Sequence, residues 1–62
     1  SIEPEIVKRL QLDAWKDGVG LAVALADELY IKADENGWSD VKHEAMILRE
    51  KLIKKMEEKK EI

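Results

Sequence analysis

A chain of 62 residues with a formal net charge of −3, 40% charged side chains and no cysteine can hold one small domain. It excludes a disulfide framework, a thiolate nucleophile and any cysteine-based zinc site. The acidic balance argues against non-specific nucleic-acid binding, which needs surplus Lys and Arg to displace counterions, and no apolar run nears the ~20 residues that span a bilayer.

The first residues, Ser1-Ile2-Glu3-Pro4-Glu5, lack the basic flank of a signal peptide. A first helix is predicted to open at Pro4, whose missing N–H would be unpaired at a helix start anyway. Ile6, Val7, Leu10 and Ala14 then share one face at about 100° per residue. Glu5 and Arg9 stand four apart in the favourable order for an ion pair. The helix is expected to end near Lys16-Asp17-Gly18, with Gly18 as a left-handed cap and Gly20 opposing continuation.

A second helix is predicted over about 19–35. Leu21, Ala22, Leu25, Ala26, Leu29 and Ala33 form its expected inward stripe, and Glu28 and Lys32 stand four apart. Asn36-Gly37 is a strong stop, because both residues tolerate positive φ. A third helix is predicted from Ser39 or Asp40, both good N-caps. Its stripe is Val41, Ala45, Leu48, Leu52 and Met56, and the run 57–62 has no apolar face and should fray.

Little chemistry is visible. His43 is the one side chain whose ordinary pKa lies near neutrality, and only Ser1, Ser39 and Tyr30 supply hydroxyls. Asp40, His43 and Glu44 share a helical turn but cannot alone close a tetrahedral metal site. The Asp34–Gly37 stretch fails as a calcium loop, since Lys32 and His43 would fall where acidic ligands are required. Gly18-Val19-Gly20 lacks the strand, third Gly and Lys of a phosphate loop.

The more informative feature is large apolar residues away from the main stripes. Leu12 and Trp15 lie off the Ile6–Ala14 face, and Val19 and Val23 extend their line if the helix persists. A wide buried arc would make them core. As an exposed set they would be a partner-binding surface, and Leu12, Trp15, Val19 and Val23 are the candidate site residues. Trp38 is expected to pack over the end of the bundle.

The expected fold is therefore all-α: one helical domain over 1–62, built as a small antiparallel three-helix bundle. The alternative is a helical hairpin that dimerises. The expected function is a non-enzymatic protein–protein interaction or structural module, taking a protein partner or a second copy. It needs no cofactor, metal, nucleic acid, membrane or small-molecule substrate. A second reading is an engineered or redesigned helical protein, since spaced Glu–Lys pairs, strong caps and the absence of Cys agree with design rules.

Overall fold

The computed structural model of the protein describes residues 4–60. It has two helices, α1 (Pro4–Asn36, 33 residues) and α2 (Ser39–Glu58, 20 residues), packed against each other as a hairpin. No strand occurs among the described residues. The three-helix bundle is thus corrected to a helical hairpin, because residues 17–20 are uninterrupted helix.

The reason lies in a stripe that the glycines do not interrupt. Leu12, Val19, Ala26 and Ala33 recur every seven residues along α1. Leu12, Ala26 and Ala33 are buried and Val19 is half-buried. A glycine inside a helix costs about 1 kcal/mol relative to alanine. Burial on both sides of Gly18 and Gly20 outweighs that cost, as tertiary packing commonly overrides propensity. On α2 the facing residues are Ala45, Leu52 and Met56, buried or half-buried at spacings of seven and four.

The Asn36-Gly37 stop holds. Gly37 has φ 70°, which only glycine adopts at no steric cost. The Trp38 N–H donates to the Ala33 carbonyl at 2.8 Å and the Gly37 N–H to the Asp34 carbonyl at 3.3 Å. These two bonds form a Schellman motif and satisfy carbonyls that the helix end would otherwise leave open. Asn36 Nδ2 adds a 2.7 Å bond to the Lys32 carbonyl. The start of α2 differs from expectation: Trp38 occupies the N-cap position with no side-chain capping bond, and Ser39 and Asp40 lie within the first turn. Trp38 is also 47% exposed rather than packed over an end.

Two features of shape matter for function. The hairpin measures 55 × 16 × 9 Å over its Cα atoms, so it is a slab two helices wide and one helix thick. Stable domains pack at least two layers around a core, and this slab is one layer. In addition, α1 outruns α2 by about 20 Å at roughly 1.5 Å per residue. Its first two turns, with Ile6, Val7 and Leu10 exposed, therefore extend past α2.

Candidate partner surface

The two long edges of the seam differ in chemistry. Along one edge the helices are laced by polar contacts. Arg49 Nε donates to Asp27 Oδ1, and Lys42 Nζ donates to Asp34 Oδ1 at 2.7 Å. The Lys42 ammonium also lies 5.3 Å from the centre of the Tyr30 ring. Tyr30, Ser39, Lys42, His43 and Met46 line a shallow depression on this edge. The sequence suggested ion pairs within helices, and Arg9 does make one, although forward to Asp13 at 3.3 Å rather than back to Glu5.

The Asp34 hydrogen bond first, then the charge of Asp34 and that of Tyr30, hold the Lys42 ammonium above its ordinary pKa of 10.5. The folded state thus favours the protonated amine. This contribution is fully present below 10.5 and is lost as pH rises through the raised value. The pair is solvent-exposed, so the effect is small. The melting midpoint of the protein is expected to fall slightly more than that of Lys42→Met as pH is raised from about 9 to 12; parallel pH profiles would show that the pair contributes nothing.

Among the described residues the opposite edge carries no such lacing. Ala22, Leu25, Ala26, Leu29, Leu48 and Leu52 line an open groove there. It continues toward the turn as a depression of about 410 Å³ bordered by Leu29, Val41, Ala45 and Leu48, with Asp40 and Glu44 on its rim. Leu21 is 64% exposed, Leu25 56%, Leu48 48% and Leu29 41%. At helical spacing, Val7, Ala14, Gly18, Leu21 and Leu25 form one stripe that runs from the overhang into this groove. Contiguous exposed apolar surface of this kind marks interaction sites.

The residues singled out from sequence take a different place. Leu12 is 6% exposed, and Trp15, Val19 and Val23 are half-buried. All four follow the α1 stripe that meets α2, and the Trp15 ring lies 5.3 Å from Lys59 Nζ. In the single hairpin they are intramolecular contacts. Conversely Leu21, Leu25 and Leu29, expected to face inward, are exposed. The inward stripe expected for 19–35 held both leucines and alanines, and only its alanine side, Ala22, Ala26 and Ala33, is buried or half-buried. The short connection decides this: two residues hold the axes close, so the positions between the helices near the turn must be small. Ala26, Ala33 and Ala45 occupy them at 3%, 0% and 2% exposure.

Among the described residues no group of three His, Cys, Asp or Glu side chains is placed to hold a metal ion, and no helix is long and apolar enough to cross a membrane. Compared with known proteins, the chain matches no family model, no curated protein and no solved structure.

Proposed function

We propose that the protein is a non-enzymatic helical interaction module that works by closing the Leu21–Leu25–Leu29–Leu48 face against another protein surface. One observation carries this reading. The seam buries only Leu12 and three alanines among the described residues, while eleven large apolar side chains stay exposed. A chain of this size buries only about 60% of its unfolded surface even in a good fold. A one-layer hairpin falls short of that and gains its missing layer by association.

The mechanism is desolvation. Burying a leucine completely is worth about 1.5–3 kcal/mol, and several leucines in line offset the entropic cost of association. The rim of Asp40 and Glu44 supplies orientation rather than energy. The polar edge, already satisfied by its own ion pairs, stays in water.

The test is binding of an anilinonaphthalene sulfonate dye in dilute solution. The protein should bind the dye, and the double variant Leu21→Glu/Leu25→Glu should lose most of the signal while circular dichroism stays helical. Dye fluorescence that is absent from the monomer, or unchanged in the variant, would remove the basis for this face.

A further inference from the structure

We infer that the occupant of this face is a second copy of the same chain, packed antiparallel to the first. The inference rests on the module reading above and adds the identity of the partner.

The pattern on the exposed stripe of α1 is complementary to itself when reversed. An antiparallel two-fold axis passing between Val19 and Gly20 sets Leu10 opposite Leu29 of the second copy. It also sets Ala14 opposite Leu25 and Gly18 opposite Leu21. Each small residue thus meets a leucine, the alternation that lets side chains of facing helices interdigitate. A two-fold arrangement of this kind uses one surface patch on both copies and closes on itself.

Gly18 gives independent support. It is exposed, and a Cβ added there would meet nothing within 4 Å. The hairpin alone gives no reason for a residue that weakens its own helix. A leucine from a second copy arriving at that level does.

The overhang agrees with the same register. The first turns of α1 have no helical partner in their own chain, and the groove beside the turn has no cover. In the antiparallel pair each overhang lies over the other copy's groove.

Sedimentation velocity over a range of concentrations reads the outcome, with the 7.1 kDa chain expected to reach twice that mass. Gly18→Leu is the decisive variant, because leucine raises helix propensity while filling the space the second copy requires. It should weaken the dimer at least about tenfold, the scale of overpacking a close contact, with helicity kept or increased. A chain that is monomeric at every concentration, or a dimer indifferent to Gly18→Leu, overturns the inference. A monomer that still binds dye through Leu21 and Leu25 leaves the module reading standing; a monomer that binds none removes both.

Discussion

Gly20→Pro is expected to destabilise the protein by about 3 kcal/mol or more. Gly20 lies in the middle of α1, where its N–H belongs to the continuous i→i−4 ladder. Proline removes that donor, and its ring collides with the Lys16 carbonyl. Small domains have only about 5–15 kcal/mol of total stability, and a single-layer hairpin belongs at the low end. The loss should therefore show as a large drop in helical circular dichroism and in the urea midpoint. A turn at residues 17–20, as a three-helix bundle requires, would accept the same proline with little change. Gly20→Ala is the matched control. Nothing lies within 4 Å of the added Cβ, so it should stabilise by up to about 1 kcal/mol. A near-neutral proline variant would overturn the continuous helix.

Ala33→Leu should be nearly as damaging, by up to about 3 kcal/mol. Ala33 is fully buried, and its carbonyl accepts the Trp38 N–H that closes the turn. An isobutyl group there must push α2 away, yet the two-residue link leaves no slack for the axes to part. Ala24→Leu makes the same chemical change at an exposed position of the same helix and should be close to neutral. Urea titrations of both variants check the contrast, and equal midpoints would mean that the seam is looser than the burial of its alanines implies.

The helical class, the start at Pro4 and the stop at Asn36-Gly37 were legible in the sequence because each follows from local backbone chemistry. The continuity through Gly18 and Gly20 was not, because local propensity weighs against it. The signal lay at longer range, in the seven-residue interval that repeats from Leu12 to Ala33. Leu12, Trp15, Val19 and Val23 lie along the seam, the wide-arc alternative, and which stripe faces inward was hard to read for a related reason. Residues 12, 19, 26 and 33 and residues 7, 14, 21 and 25 both satisfy helical spacing. Size favours the leucine stripe as core, whereas the tight connection favours alanine. Only the distance between the helices resolves the choice. The bonds that Arg49 donates to Asp27 and Lys42 to Asp34 join different helices, so no pattern within one helix reveals them.

The placement of the three buried alanines has a kinetic consequence. Ala33 and Ala45 flank the turn and Ala26 follows about two helical turns further along, so the tightest contacts close the shortest loops. Loop-closure entropy is least there, and proteins rich in local contacts fold fastest. Folding should begin at the Gly37 corner and zip toward the free ends, while spontaneous opening should start at those ends and seldom reach the corner.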